Sequence, residues 1–233
     1  MKNLQILAAI GLVAAASAAQ ADVTGTAAIV SDYDFRGITQ TGEDPALQLS
    51  IDYAHDSGWY AGVWGSNVDQ FSDGGENTAS TEVDLYTGFK GTAGDIGWDA
   101  GIVYYTYSGA SDLNYAEIYG KVTYSILTAG LYWSNDFGGK ATGGKSDSAA
   151  YVFGDVNVPA GPVSVLLHAG YSDGDGIEEA YGTTENSYID YAVGVSYTAS
   201  NITLGLKWVA YDFDDAGSDD RIILSVSTAL PWK

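Results

Sequence analysis

The sequence predicts an all-β fold, a single antiparallel transmembrane β-barrel of about twelve strands, with ten or fourteen as alternatives. Apolar and polar residues alternate along many segments, for example between Ile202 and Tyr211. A period of two gives an extended strand one apolar and one polar face. The connections between these segments are alternately long and short, and the chain begins with a pattern typical of an export signal. Together these three observations favour a bacterial outer-membrane barrel.

The first 21 residues have the features of a secretory signal peptide. Lys2 precedes an apolar run from Leu4 to Ala16, and the run is followed by Ala19-Gln20-Ala21. The run is shorter than the roughly 20 residues that a membrane-spanning helix needs. We therefore expect a signal peptide at 1–21, cleaved after Ala21, and a barrel at 22–233. The chain has no cysteine, which excludes a lipid-anchored N-terminus, disulfides and thiolate metal sites.

Twelve segments fit the strand pattern. They are 23–38, 46–55, 59–68, 80–90, 96–107, 114–124, 128–136, 149–158, 162–172, 187–198, 202–213 and 221–230. The connections at 56–58, 91–95, 125–127, 159–161 and 199–201 are short, whereas most of the others are longer. In an outer-membrane barrel, short turns face the periplasm and long loops face the outside. An even strand number then places both termini in the periplasm.

The apolar faces of the strands are expected to contact lipid. Strand 1 would present Ala27, Ile29, Tyr33 and Phe35 in this way. Aromatic residues near strand ends would form two girdles at the headgroup level. The girdle residues would be Tyr53, Trp59, Phe35, Tyr107, Trp133, Tyr171 and Trp208. The alternative is that tyrosine and tryptophan are frequent simply because they favour strands.

Several segments of the first 90 residues resemble one known family. They read SDYDFRGITQ at 31–40, PALQ at 45–48, GWYAGVWGSNV at 58–68 and EVDLYTGF at 82–89. In order and spacing they are similar to the TorF family of exported, porin-like bacterial proteins, whose function is poorly defined. The resemblance implies an outer-membrane barrel and a porin role, and it supplies no substrate or catalytic residue.

The polar faces of the strands would line the interior of the barrel. The predicted pore-lining residues are Asp32, Asp34, Arg36, Gln48, Asp52, Glu82, Asp84, Lys90, Asp99, Glu117, Lys121, His168, Asp190, Lys207 and Arg221. Acids predominate among them, and an acidic low-dielectric pore concentrates cations. The expected function is passive diffusion of small hydrophilic solutes, with a preference for cations. The alternative is that the carboxylates are solvated, or paired with Arg36, Lys90 and Lys121 in a plugged barrel.

Arg36 stands out because Asp32 and Asp34 would share its face near the outer end of strand 1. Two roles are open for it. The guanidinium could form a constriction or bind solute, or it could lock strand 1 to its neighbours through ion pairs.

The long loops are acidic, and the formal charge of the whole chain is −21. Asp173 and Asp175 are weak candidates for binding a divalent metal, since they resemble only half of a calcium loop. The alternative function is a non-conducting barrel whose acidic loops bind a ligand, a divalent metal or a surface partner. Outer-membrane lipids, lipopolysaccharide, the barrel-assembly machinery and small solutes or ions are the expected partners.

Other classes of function are disfavoured. Nucleic-acid binding conflicts with the negative charge, because phosphates would be repelled. Catalysis would need a base, and His55 and His168 are the only histidines. His55 adjoins a short turn, and no nucleophile elbow or Ser-His-Asp arrangement is visible around His168. We therefore expect no enzymatic activity and no cofactor.

Overall fold

The computed structural model describes residues 22–69, 79–140, 147–213 and 217–230. The expected signal peptide, 1–21, lies outside this part of the chain. Twelve antiparallel strands form a closed barrel. They are β1 (Asp22–Val30), β4 (Ala46–Ala54), β5 (Trp59–Asn67), β6 (Thr81–Ala93), β7 (Ile96–Ser108), β8 (Tyr115–Tyr124), β9 (Leu127–Ser134), β10 (Ala149–Ala160), β11 (Val163–Asp173), β12 (Ser187–Ala199), β13 (Ile202–Phe213) and β14 (Gly217–Leu230).

Each wall strand pairs with its neighbours in the chain, and the pairing of β1 with both β4 and β14 closes the barrel. The predicted fold class and strand number are therefore confirmed. Two further short strands, β2 (Asp34–Phe35) and β3 (Ile38–Thr39), pair only with each other. A single short helix, α1 (Asp175–Tyr181), is described between β11 and β12.

The two faces of the wall follow from the period of two. In β13, Leu204 and Leu206 point outward and are 51% and 45% exposed. Lys207, the next residue after Leu206, points inward. Leu206 lies opposite Val195 of β12 and Leu224 of β14, both of which also point outward. Because the register aligns outward residues across neighbouring strands, they form a continuous apolar band around the barrel.

The two ends of the barrel differ as predicted, except that β14 begins at Gly217 and not at 221, so the last connection is 214–216 and not longer than the short turns. Short turns at 55–58, 94–95, 125–126, 161–162 and 200–201 connect strands at one end, which we call the short-turn end. The connections at the other end, the long-loop end, are 31–45, 68–80, 109–114, 135–148, 174–186 and 214–216. Strand β1 begins and β14 ends at the short-turn end.

The prediction for the end of strand 1 is wrong. The strand stops at Val30, and residues 34–39 form a small hairpin of β2 and β3 inside the barrel, here called the inner hairpin. Arg36 and Gly37 make its two-residue turn with φ angles of 51° and 85°. Two successive positive φ angles are typical of a type I′ turn, which matches the twist of a hairpin.

Tyr33 and Phe35 consequently do not face lipid. Tyr33 is buried with its ring centroid 5.2 Å from that of Trp64, and the Phe35 ring lies edge-on to Tyr105. Tyr107, predicted in a girdle, is also buried in the interior. The outward positions of Trp133, Tyr171 and Trp208 agree with the predicted pattern.

The hydrophobic core occupies the long-loop half of the barrel interior and extends towards the short-turn end through Tyr60, Tyr86 and Tyr119. Its buried members come from the wall, the segment around the inner hairpin and the loops, and include Tyr105, Tyr115, Phe137, Ile177 and Tyr188. Ile177 of α1 is fully buried, so this helix covers the core from the long-loop end. Within the described residues, no helix has the length and apolar character needed to cross a membrane.

The close contact of the inner hairpin with the wall predicts that alanine destabilises the barrel more at Gly37 than at Gly161. A Cβ at Gly37 would lie 2.8 Å from Cβ of Asp190 and 3.0 Å from Cβ of Tyr211, whereas one at Gly161 would have open space. Both glycines have positive φ, so Gly37→Ala and Gly161→Ala share the backbone strain. Overpacking should make Gly37→Ala the more destabilising by about 1–3 kcal/mol, measured by urea unfolding of the folded barrel. Equal losses would contradict the observed seating.

Candidate functional site in the barrel interior

Every residue predicted to line the pore lies on the inward side of the wall or on the segment inside the barrel. Gln48, for example, lies between the outward Leu47 and Leu49. Asp32, Asp34 and Arg36 come from the inserted segment after β1 and not from a wall strand, which corrects their expected placement. The role of these residues in a pore stays a prediction.

Arg221 of β14 clasps the inserted segment to the wall. Its Nε donates to Asp32 at 2.5 Å, its Nη2 donates to Asp34 at 2.8 Å, and its Nη1 donates to the Gly37 carbonyl at 2.6 Å. Lys207 of β13 adds an ion pair to Asp34 at 3.0 Å. Arg221 and Asp32 are buried, and Asp34 is nearly so. A buried charge without a partner would be destabilising, and the clasp stabilises the segment because each charge has an opposite one.

The base of the inner hairpin is fixed by hydroxyl groups. Thr39 and Thr41 both donate to Oδ1 of Asp32, at 2.5 Å and 3.1 Å. The Tyr33 amide donates to Oγ1 of Thr41. Asp32 therefore accepts from both the hairpin and the wall, which joins the two into one network.

Arg36 at the tip of the inner hairpin does not pair with Asp32 or Asp34. Its Nη2 donates to Oε2 of Glu117 on β8 at 2.6 Å, and the Tyr105 hydroxyl donates to the same oxygen at 2.9 Å. Burial acts to lower the pKa of the Arg36 guanidinium, but the Glu117 carboxylate raises it, and the net shift is upward. Arg36 therefore remains a cation inside the barrel.

Four aromatic rings surround the Arg36 guanidinium. Its Cζ lies 4.3 Å from the centroid of Tyr151, 4.6 Å from Phe35, 5.1 Å from Tyr132 and 5.8 Å from Phe137. All four distances fall within the range of cation–π attraction. The ion pair with Glu117 agrees with one of the two roles left open by the sequence, a lock between strand 1 and its neighbours. The other role, a constriction or a binding site for solute, stays a prediction.

Glu82 and Asp84 form a second buried acidic pair, on β6. They are 1% and 0% exposed, and Tyr107 donates to Glu82 at 3.2 Å. Within the described residues, Oε2 of Glu82 and both Asp84 oxygens have no hydrogen-bond partner. Burial raises the pKa of the nearby Tyr33 hydroxyl, and the two carboxyl groups raise it further. Tyr33 therefore stays protonated beside them.

Nearer the short-turn end, acids and tyrosines pair along the wall. Tyr60 donates to Asp99 at 2.5 Å and contacts the Tyr119 hydroxyl, while Tyr86 donates to Asp52. Two lysines lie over these rings, Lys90 5.4 Å from the centroid of Tyr60 and Lys121 4.9 Å from that of Tyr119. These charged groups are only partly buried, unlike those around Arg36.

His168 lies between two carboxylates in the middle of the wall. Its Nδ1 is 2.6 Å from Asp155 and its Nε2 is 2.9 Å from Asp190, and the Tyr151 hydroxyl is 2.9 Å from Nε2. Asp155 was missed by sequence reasoning because the phase of its strand was ambiguous. No serine hydroxyl is bonded to the His168 ring among the described residues.

Sequence reasoning also missed the interior tyrosines. Tyr105, Tyr119 and Tyr151 are buried in the barrel, although aromatic rings were expected at its outer rims. The available signal was strand parity, since Tyr119 shares a face with Glu117, and Tyr86 with Asp84. The ring is large enough to fill the interior while its hydroxyl pairs with the charges there.

The metal candidates do not form a cluster. Asp173 and Asp175 are exposed, and Asp175 begins α1. Asp173 accepts a hydrogen bond from Tyr171 at 3.3 Å. In the part of the chain that the structure describes, no three or more histidine or acidic side chains are arranged so that they could hold a metal ion.

The inserted segment and the loops leave little space at the long-loop end. A cavity of about 30 Å³ lies between the inner hairpin and α1, lined by residues that include Phe35, Tyr115, Phe137 and Tyr181. This volume accommodates about one water molecule. The long-loop half of the interior is therefore filled, whereas the charged residues nearer the short-turn end are more accessible.

Comparisons with known proteins agree with this architecture. A family model described as a bacterial protein of unknown function (Gcw_chp) matches residues 14–226. A structure of the NanC porin superposes with a TM-score of 0.59 at 12% identity, covering 89% of this chain and 99% of that one. The KdgM porin in complex with disordered oligogalacturonate gives 0.52 at 8% identity, covering 88% and 97%. A comparison with curated proteins gave no match. At these identities the likeness concerns the fold.

The charge clasp predicts unequal costs for two similar substitutions. Arg221→Gln leaves Asp32 and Asp34 buried with fewer partners and should cost about 3–5 kcal/mol of unfolding free energy. Lys207→Gln removes one ion pair from a side chain that is 25% exposed and should cost about 0–1 kcal/mol. Urea unfolding followed by tryptophan fluorescence measures both. A cost for Arg221→Gln no larger than that for Lys207→Gln would contradict the clasp.

Proposed function

This chain belongs to the Gcw_chp family of bacterial proteins of unknown function, and we propose that it is an outer-membrane, porin-like channel. It allows passive diffusion of small hydrophilic solutes and prefers cations. In this proposal the segment 1–21 is a cleaved export signal of a Gram-negative bacterium, and the protein performs no chemical step. The resemblance of residues 31–89 to the TorF family agrees with this role.

The observation that carries the proposal is the closed barrel with opposite inner and outer faces. Its outer band is apolar, and its interior contains charged and hydroxyl groups. In a bilayer all backbone polar groups must be satisfied within the protein, and a closed barrel meets this demand. The two porins with the same fold are covered over nearly their whole length, which supports the same type of protein.

The selectivity follows from the charges on the inner surface. The acids there are Asp32, Asp34, Asp52, Glu82, Asp84, Asp99, Glu117, Asp155 and Asp190. The bases are Arg36, Lys90, Lys121, His168, Lys207 and Arg221. Acids outnumber bases, so the interior carries a negative potential that attracts cations and repels anions. A twelve-stranded barrel leaves at most a narrow lumen, which limits passage to small solutes.

Passage through this channel requires movement of the inner hairpin. The hairpin and α1 fill the long-loop half, so the seated hairpin is the closed state. The short-turn half, with Asp52, Asp99, Lys90 and Lys121, forms the wider entrance from the periplasm. When the channel opens, the hairpin leaves the wall, and solute and water contact the wall in its place.

The filled long-loop half also favours a second function, a non-conducting barrel whose acidic loops bind an external partner. Divalent ions bridging to lipopolysaccharide phosphates would suit such loops. Discrete current steps in a planar bilayer support the channel, whereas a folded but silent barrel supports this second function. In both cases lipids and lipopolysaccharide surround the barrel, and the barrel-assembly machinery inserts it.

Cation preference predicts a charge-specific change in reversal potential. We expect the wild-type channel to be more permeable to potassium than to chloride in a salt gradient. Asp52→Asn with Asp99→Asn removes two interior charges and keeps their acceptor oxygens, so the permeability ratio should fall towards one. Glu178→Gln on the exposed face of α1 is the control and should leave the ratio unchanged. Equal permeability in the wild type would contradict the proposed preference.

Insertion into the membrane predicts a depth-dependent cost of a lysine on the outer face. Leu206 and Ile202 lie on the same face of β13, Leu206 near its middle and Ile202 beside a short turn. Leu206→Lys should cost about 2–4 kcal/mol and Ile202→Lys about 0–1 kcal/mol of unfolding free energy in vesicles. Similar small costs at the two positions would show that the band does not face hydrocarbon.

A further inference from the structure

The groups around the Arg36 guanidinium form a cation cage that belongs almost entirely to the barrel. We define the cage as Glu117 with Tyr105, Tyr132, Tyr151 and Phe137. Glu117 is on β8, Tyr105 on β7, Tyr132 on β9 and Tyr151 on β10, while Phe137 follows β9. Of the four rings near Arg36, only Phe35 lies on the inner hairpin. The cage is therefore built by the wall, and the hairpin supplies its occupant.

Arg36, the occupant, lies at the point of the hairpin where another cation could most easily replace it. Arg36 is in the two-residue turn, and among the described residues its guanidinium forms an ion pair with Glu117 alone. The firmer clasp, through Arg221, involves Asp32, Asp34 and the Gly37 carbonyl instead. Loss of Arg36 from the cage would leave Glu117, which is 1% exposed, without a positive partner. A buried carboxylate in that position strongly favours another cation.

The chemistry of the cage selects an organic cation. Ring faces attract guanidinium and alkylammonium groups, and a guanidinium gives up its water more readily than an ammonium because it is more weakly hydrated. A small metal ion instead needs several oxygen ligands, and the cage offers one carboxylate and the Tyr105 hydroxyl. An anion would be repelled by Glu117. The dimensions suit a planar group, since the centroids of three rings of the cage, Tyr151, Tyr132 and Phe137, lie 4.3, 5.1 and 5.8 Å from Cζ of Arg36.

We propose that the cage is a binding site for small organic cations of the guanidinium or alkylammonium type. Arg36 is a built-in competitor that occupies the site while the inner hairpin is seated. Identification of such a cation as a transported solute rests on the proposed channel function. Binding itself does not depend on conduction, because it needs only the folded barrel.

Removal of Arg36 should expose the site to a free ligand. The test uses the folded barrel in detergent and methylguanidinium chloride as the probe, with calorimetric titration. Arg36→Ala and Arg36→Met should bind one methylguanidinium per chain, at least about ten-fold more tightly than the wild type. Potassium chloride at the same concentration controls for ionic strength. Lys90→Ala, which removes an interior cation outside the cage, should not create a site.

Changes to the cage should weaken this binding in the Arg36→Ala background. Addition of Glu117→Gln should abolish it, and the double variant avoids leaving an unpaired Arg36. Addition of Tyr132→Leu removes one ring and should weaken binding about ten-fold. The matched control is Trp133→Leu, the next residue on β9, whose side chain points outward and is 42% exposed. It should leave binding unchanged.

The proposal is overturned if Arg36→Ala and Arg36→Met fold but bind methylguanidinium no better than the wild type. If neither variant folds alone, refolding in the presence of methylguanidinium provides the readout. Recovery of the folded form, seen as heat-modifiable gel mobility, supports the cage, and no recovery overturns it. A silent channel in bilayers combined with methylguanidinium binding would overturn the channel function and leave the binding site standing.

Discussion

Closure of the sheet is the constraint on which the rest of this structure depends. The pairing of β1 with β14 gives every wall strand two neighbours, so no strand edge is left open. Closure also divides the side chains into two environments, because successive residues point to opposite faces. Leu206 belongs to the outer environment and Lys207 to the inner one, although they are adjacent in the chain. The enclosed interior then decides which charges can be tolerated and where.

The basic residues show how the interior is organised. Arg36, Lys90, Lys121, Lys207 and Arg221 all lie inside the barrel, while the long loops carry mainly acids. Near the filled end, the bases form close ion pairs with Glu117, Asp32 and Asp34. Nearer the short-turn end, lysines lie over tyrosine rings in a more accessible region. Burial and pairing therefore increase together along the barrel, as the cost of an unpaired buried charge requires.

The alternating pattern was enough to predict the wall. In a closed sheet every second residue faces outward, as Ile202, Leu204 and Leu206 do. The same pattern misled at residues 31–38, where Asp32, Asp34 and Arg36 alternate with Tyr33 and Phe35 exactly as a strand would. Period two does not reveal a reversal of direction, and only Gly37 marked the turn. The cage was also beyond prediction, because it joins residues of four strands and one loop whose register the sequence does not specify. The frequency of aromatic residues near strand ends predicts tyrosines at the rims. Tyr119 faces inward instead, because it lies two positions from Glu117 on the same face of β8.

The inner hairpin has two attachments that differ in kind, and in the proposed channel this difference would allow closure and passage to coexist. The Arg221 clasp holds the base of the hairpin through three hydrogen bonds specific to this segment. The cage holds the tip through a cation that another cation can replace. A solute that binds the cage therefore competes with the seated tip and shifts the population towards the open form. A change that loosens the tip raises the fraction of molecules whose cage is free, and the apparent affinity of the cage for the solute rises with that fraction. In such a channel, the cation that passes is also the ligand that opens the way.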